Sequence, residues 1–177
     1  DDDEVWDETG VITEQGSSEL KRYGMEDAFD FPKPSYLIKK VLSIGSDETD
    51  ICLDFFSGSA TTAEAVMSLN AIHGHRKYIL VQLPEDIDVK YEKASSSDKP
   101  KLKKIIDFLD SVQRPHALDE VGQERIVRAA RRIQIENGAE IDYGFRHYTL
   151  KDIPQNTLDQ MESFSPDAIV DDFNLKD

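Results

Sequence analysis

The sequence predicts an α/β fold built on a parallel sheet, and three observations predict it. Residues 51–56, Ile-Cys-Leu-Asp-Phe-Phe, form an apolar run of the length and composition of a buried strand. Ser57-Gly58-Ser59 then supplies turn residues, after which Ala60, Ala63, Val66, Met67 and Leu69 recur at helical spacing over 60–69. Residues 76–85, Arg-Lys-Tyr-Ile-Leu-Val-Gln-Leu-Pro-Glu, repeat the strand signature and stop at Pro84. Strand, turn, helix and strand in that order predict a right-handed crossover between parallel neighbours, with a crevice at the strand ends.

The remaining elements follow in chain order. In Phe29-Asp30-Phe31-Pro32-Lys33-Pro34-Ser35 the two prolines hold an extended entry, and Ser35 opens a helix through Leu37, Ile38, Val41 and Leu42. Residues 95–100, Ser-Ser-Ser-Asp-Lys-Pro, read as a loop before an amphipathic helix carrying Leu102, Ile105, Ile106, Leu109 and Val112 on one face. A further helix is expected over about 118–136, with Leu118, Ile126, Ala129 and Ile133 inward and Arg125, Arg128, Arg131 and Arg132 outward as a solvated, salt-bridged face.

The strand-to-helix turn is the richest chemical feature. Free N–H groups of the first helical turn, with the hydroxyls of Ser59, Thr61 and Thr62, suit a carboxylate or phosphate, and Asp54 at the strand tip can accept from an amine or hydroxyl. A P-loop needs a Lys after its last Gly, and a dinucleotide fingerprint needs three spaced glycines; only Gly58 stands here. The ligand class left is a carboxylate with an ammonium, as at the amino-acid end of S-adenosylmethionine. The polar Gln82 at the second strand's end would meet ribose hydroxyls. The same residues also suit an ordinary strand and tight turn with no ligand.

Taken in order, Phe-Pro-Lys-Pro-x-x-Leu-Ile, Leu-Asp-Phe-Phe-Ser-Gly-Ser-Ala-Thr-Thr and Tyr-Ile-Leu-Val-Gln-Leu-Pro-Glu resemble the cofactor half of β-class amino DNA methyltransferases, nearest to the modification subunits of type III restriction-modification systems. The resemblance covers roughly residues 27–152. It implies a class I methyltransferase fold, a Rossmann-like three-layer sandwich with an incomplete sheet and a third strand at 145–150. It also implies that Phe31 packs beside the cofactor S-adenosylmethionine, with Lys33 and Pro34 near its methionine moiety. Asp54, Phe56, Ser57, Gly58, Ser59 and Thr61 would surround the amino-acid end and Gln82 the ribose. Two positions depart from the family pattern: Ala60 stands where Gly is more usual, acceptable if its φ/ψ is helical, and Gln82 stands where many relatives carry Glu.

In such enzymes an Asp-Pro-Pro-Tyr motif holds the flipped adenine. No two consecutive prolines occur in these 177 residues, so no catalytic residue is assigned. The resemblance implies the C-terminal part of a longer protein, as an excised piece or from a broken reading frame, with an acidic lead-in over 1–26, the cofactor-binding part over 27–152 and an acidic tail over 153–177. It implies DNA contacts through another half, a restriction subunit as partner, a homodimer of the full-length protein, and no methylation by this chain alone. The alternative is a non-catalytic remnant that binds cofactor or a partner subunit without acting on DNA.

The net charge of −15 argues against direct phosphate binding. The imbalance is at the ends: residues 31–150 hold 18 acidic against 17 basic side chains, and the ends are expected to be solvated and poorly packed. No apolar run is long enough for a membrane span and no signal-peptide pattern opens the chain, which suits a cytoplasmic protein. The single Cys52 reads as a small core hydrophobe. His73-Gly74-His75 reads as a loop, since no Cys or further His accompanies it to hold a metal.

Overall fold

The computed structural model describes residues 13–150. They fall into two compact units, one ending at Tyr143 and the other beginning at Gly144. The first holds every regular element: α1 Thr13–Arg22, α2 Ser35–Gly45, β1 Ile51–Asp54, α3 Thr61–Asn70, β2 Lys77–Leu80, α4 Ile87–Lys93, α5 Lys99–Ser111 and α6 Leu118–Asn137.

β1 and β2 pair in parallel, as the strand-helix-strand order predicts, with Ile51 opposite Lys77 and Asp54 opposite Leu80. Backbone bonds carry the ladder past the strand ends, from the Val81 N–H to the Asp54 carbonyl at 2.8 Å and from the Ser57 N–H to the Val81 carbonyl at 3.2 Å. The chain therefore stays pinned to its neighbour until the turn begins.

Cys52, Tyr78 and Leu80 point into the body of the unit, toward the layer that contains α3. Ile51, Leu53, Ile79 and Leu83 on the other face are exposed, which corrects the expectation of two fully buried strands. A parallel strand is buried on both sides only where layers cover both faces, and among the described residues one face is covered.

The core gathers Leu20, Met67, Ile87, Leu109, Val121 and Ala129 from α1, α3, α4, α5 and α6. A Leu or Met withdrawn fully from water contributes about 1.5 to 3 kcal/mol. α5 buries Ile105, Ile106 and Leu109 as its spacing predicts, and Pro100 occupies its first turn, where a missing N–H costs nothing. On α6, Arg128 and Arg132 pair with Glu124 and Glu136 at 2.7 Å each, in keeping with a salt-bridged face.

Three expectations are corrected here. The acidic N-terminal end is not poorly packed where it is described: α1 forms, and Leu20, Tyr23, Met25 and Ala28 are buried. The charge count concealed their apolar contribution. Arg125 does not face outward; it is wholly buried, because it shares a helical stripe with Val121, Ala129 and Ile133. Residues 145–150, expected as a third strand, have no regular structure. Alternating side chains favour extended backbone, but a strand forms only where a neighbour completes its ladder, and the described sheet contains β1 and β2 alone. Residues 1–12 of the acidic lead-in and the tail at 153–177 lie outside the described residues.

Candidate functional site

The site is built where β1 ends. Asp54 bends the chain: its Oδ1 accepts the Phe56 N–H at 3.1 Å and its Oδ2 accepts the Thr62 hydroxyl at 2.7 Å, tying the strand tip to the first turn of α3. Gly58 takes a left-handed φ of +50°, and a Cβ there would stand 3.0 Å from the ring of Phe29, so both backbone and space require glycine. Its N–H donates to Gln82 Oε1 at 2.8 Å, while Gln82 Nε2 donates to the Leu83 carbonyl at 3.2 Å. The amide of Gln82 thus fits by using both its acceptor and its donor. A carboxylate at this position would keep the first bond and lose the second.

Ala60 caps α3 with φ 59° and ψ 35°. The expectation that it is already helical is corrected: it stands in the left-handed region, which is why glycine suits the position. Its N–H donates to the Ser57 carbonyl at 2.7 Å, closing the turn.

The entry segment reaches the same turn. Thr61 Oγ1 donates to the Lys33 carbonyl at 3.2 Å, and the N–H of Ser35, first residue of α2, is held by Glu19 Oε2 at 2.9 Å. Phe31 has φ 53°, costly for an aromatic residue, and its side chain is 73% exposed. Phe56 is 90% exposed. Strained backbone holding an aromatic ring in water concentrates at ligand sites. Pro34 is buried and Lys33 exposed.

The ten residues singled out from sequence divide by direction. Lys33, Asp54, Gly58, Thr61 and Gln82 are linked through the bonds above to a single turn. Phe31, Phe56 and Lys33 are open to solvent, with Asp54, Ser57, Gly58 and Gln82 half-buried. Ser59 and Thr61 are buried, and their hydroxyls meet Arg125 Nη1 at 2.8 and 2.7 Å. Sequence reasoning passed over Arg125, Glu19 and Glu64, which form the turn's inner support. Tyr23 donates to Glu64 Oε1 at 2.6 Å. Burial, then the neighbouring Glu64 carboxylate, push the Tyr23 hydroxyl well above its ordinary pKa. Burial, joined by the Glu64 carboxylate, likewise raises Glu19 against the lowering by the Ser35 N–H and the Arg125 guanidinium.

A cavity of about 270 Å³ is lined by Asp27, Phe29, Asp30, Phe31, Lys101 and Lys104. Its charges are paired across it, Lys104 with Asp27 at 3.0 Å and Lys101 with Asp30 at 3.7 Å. Among the described residues no group of three His, Cys, Asp or Glu side chains could hold a metal ion, and no helix is long and apolar enough to cross a membrane.

A parallel strand pair that ends in a left-handed glycine turn, with a proline-led segment bonded to that turn, defines an α/β protein whose strand ends form the place where open α/β sheets take ligands. Residues 2–87, spanning the entry segment, the turn and both strands, match the family model described as DNA methylase. Proteins similar to the chain include modification subunits of type III restriction-modification systems. It is 34% identical over 161 residues to the type III restriction-modification enzyme StyLTI Mod subunit of Salmonella typhimurium, covering 90% of this chain and 22% of that protein. It is 39% identical over 85 residues to the EcoPI Mod subunit of Escherichia phage P1, covering 48% of this chain and 13% of that protein. The type II methyltransferase M.KpnI of Klebsiella pneumoniae is 33% identical over 79 residues, covering 44% of this chain and 19% of that protein. The chain thus spans less than a quarter of the length of the curated relatives it matches.

Proposed function

We propose that this chain is the S-adenosylmethionine-binding portion of a site-specific DNA adenine N6-methyltransferase of a type III restriction-modification system. The observation that carries the reading is the junction of three segments at one turn: Lys33 bonded through Thr61, Asp54 through Thr62, and Gln82 through Gly58. These segments lie within the residues that match the DNA methylase model. In this reading Asp54, Ser57 and the turn around Gly58, Ser59 and Thr61 receive the amino-acid end. Gln82 faces the ribose, and Phe31 and Phe56 offer rings to apolar parts, with Lys33 and Pro34 beside the methionine chain. The bound cofactor supplies an electrophilic sulfonium methyl. The chain's residues contribute binding and orientation, and orientation is the main requirement for a direct displacement.

The proposal extends to a class I methyltransferase sheet in the whole protein, whose further layers would cover the apolar face formed by Ile51, Leu53 and Ile79. It assigns residues 27–152 to the cofactor part, flanked by acidic segments at 1–26 and 153–177. DNA contacts and the adenine pocket belong to other parts of such a protein, with a restriction subunit as partner, a homodimeric modification enzyme and a cytoplasmic setting. The second reading, a remnant that binds cofactor without acting on DNA, draws on the absence of consecutive prolines in this sequence.

Calorimetric titration of the chain with S-adenosylmethionine and S-adenosylhomocysteine tests the site, with one-to-one binding expected for both. Absence of heat, together with an unmoved melting temperature at saturating ligand, would overturn the assignment. Tritiated methyl incorporation into unmethylated DNA, with and without the rest of a modification subunit, separates the two readings.

A further inference from the structure

The largest side chain with no exposed surface in the described residues is a cation, Arg125 on α6. Burying a guanidinium is costly unless every donor is matched, and a buried ion pair is by itself weak evidence of a stabilising role. Here each of the three guanidinium nitrogens has a partner. Nη1 donates to Ser59 Oγ at 2.8 Å and to Thr61 Oγ1 at 2.7 Å; Nε donates to Glu64 Oε2 at 2.9 Å; Nη2 lies 2.8 Å from Glu64 Oε2 and 3.1 Å from Glu19 Oε2. Four hydrogen bonds and one further ion-pair contact engage all three guanidinium nitrogens.

These acceptors form two routes between the glycine turn and the entry segment. On one route Arg125 holds Thr61, whose hydroxyl donates onward to the Lys33 carbonyl. On the other it holds Glu19, whose carboxylate receives both the N–H and the hydroxyl of Ser35. Lys33 and Gly58 are 25 residues apart in the chain, and each is anchored within a few bonds of the same guanidinium. Ser59 and Thr61 spend their hydroxyls inward on this contact, leaving the outer rim of the turn to its backbone.

We propose that Arg125 is a positioning residue: its planar fork fixes the Ser57–Thr61 turn against the Lys33–Ser35 segment and so sets the shape of the strand-end site. The role needs the fork as well as the charge. A lysine could balance Glu19 and Glu64 but could not also grip both hydroxyls from one planar head. The claim that this shape serves S-adenosylmethionine rests on the functional reading above; the clamp itself does not.

Two variants of the 177-residue chain test it. R125K keeps the buried positive charge and removes the fork, while S59A/T61V keeps Arg125 and both carboxylates and removes what the fork grips on the turn. Amide exchange reads the clamp without any ligand, at Gly58 and Ala60, whose N–H groups bond to Gln82 and the Ser57 carbonyl. In both variants these amides should exchange about tenfold faster with the β2 amides unchanged, and S-adenosylmethionine affinity should fall about tenfold, the effect of one or two hydrogen bonds. If R125K does not fold, the double variant decides alone. Wild-type exchange at Gly58 and Ala60 in a folded variant would overturn the proposal and leave Arg125 a charge balance only. Faster exchange in a chain that binds no S-adenosylmethionine would support the clamp while removing the cofactor assignment.

Discussion

The carboxylate of Asp54 receives the Thr62 hydroxyl at 2.7 Å, so the residue that ends β1 also fastens the start of α3. Asp54 therefore has a structural duty beside its proposed one, and the two separate by substitution. Thr62→Val removes the fastening alone. Asp54→Ala removes it and the acceptor offered to a ligand ammonium, and should weaken S-adenosylmethionine binding by about 1 to 3 kcal/mol. Thr62→Val should cost less than half of that, as measured by titration calorimetry. Equal losses in the two variants would mean that Asp54 acts only through the turn.

Gly16 lets α1 lie on the entry segment: a Cβ built there would stand 1.9 Å from the Pro32 carbonyl oxygen. Because the obstacle is backbone, the helix must move away. Gly16→Ala gains up to about 1 kcal/mol of helix propensity and should lose about 1 to 3 kcal/mol to overpacking. Net destabilisation in urea unfolding is the expected result, with weakened cofactor binding as Glu19 leaves Ser35. A variant as stable as the wild type would show that α1 does not pack on Pro32.

The legible part of this molecule is the part decided locally. Strand, glycine turn and helix at 51–70 follow from apolar spacing and turn chemistry within a few residues, and the parallel partner follows from the crossover rule. Arg125 was legible in principle, since Val121, Arg125, Ala129 and Ile133 recur every four residues, but charge argued against burial and its acceptors lie more than 60 residues away in α3 and over 100 in α1. Glu19 was hidden in the same way, since it reaches Ser35 from 16 residues away and Arg125 from 106. α1 was missed because eleven acidic side chains in the first thirty residues outweighed Leu20, Tyr23 and Met25 in the reading. The expectation of a third strand rests on the family resemblance, which carries an edge strand over without supplying the neighbour that completes its ladder.

His116 sits between two carboxylates, Nδ1 at 2.9 Å from Asp88 and Nε2 at 3.0 Å from Asp110, linking α4 to the end of α5. The hydrogen bonds to Asp110 and Asp88 raise its pKa above the ordinary 6.5. A histidine raised in the folded state contributes stability that is fully present below about pH 6.5 and is lost as pH climbs through the folded value. Both aspartates are exposed, so the contribution is under about 1 kcal/mol. His116→Asn should therefore destabilise the chain at pH 5.5 and have a smaller effect at pH 8.5. An NMR titration of the ring with a midpoint at or below 6.5 would contradict the arrangement.

Ala60 supplies the sharpest test of the turn's backbone. Were it helical, Ala60→Gly would cost up to about 1 kcal/mol and Ala60→Val about half that, as in any helix interior. In the observed left-handed conformation the terms change. Glycine removes a strain of about 1 to 2 kcal/mol, against which stand about 0.4 to 1 kcal/mol of added unfolded-state freedom and about 0.8 kcal/mol of lost methyl burial, so the variant should lie close to wild type. Valine, branched at Cβ and confined to a position only 2% exposed, should lose about 2 kcal/mol or more through strain and crowding. Chemical unfolding of both variants decides between the two conformations. A valine variant milder than the glycine one would place Ala60 in the helix and remove the left-handed cap from the site.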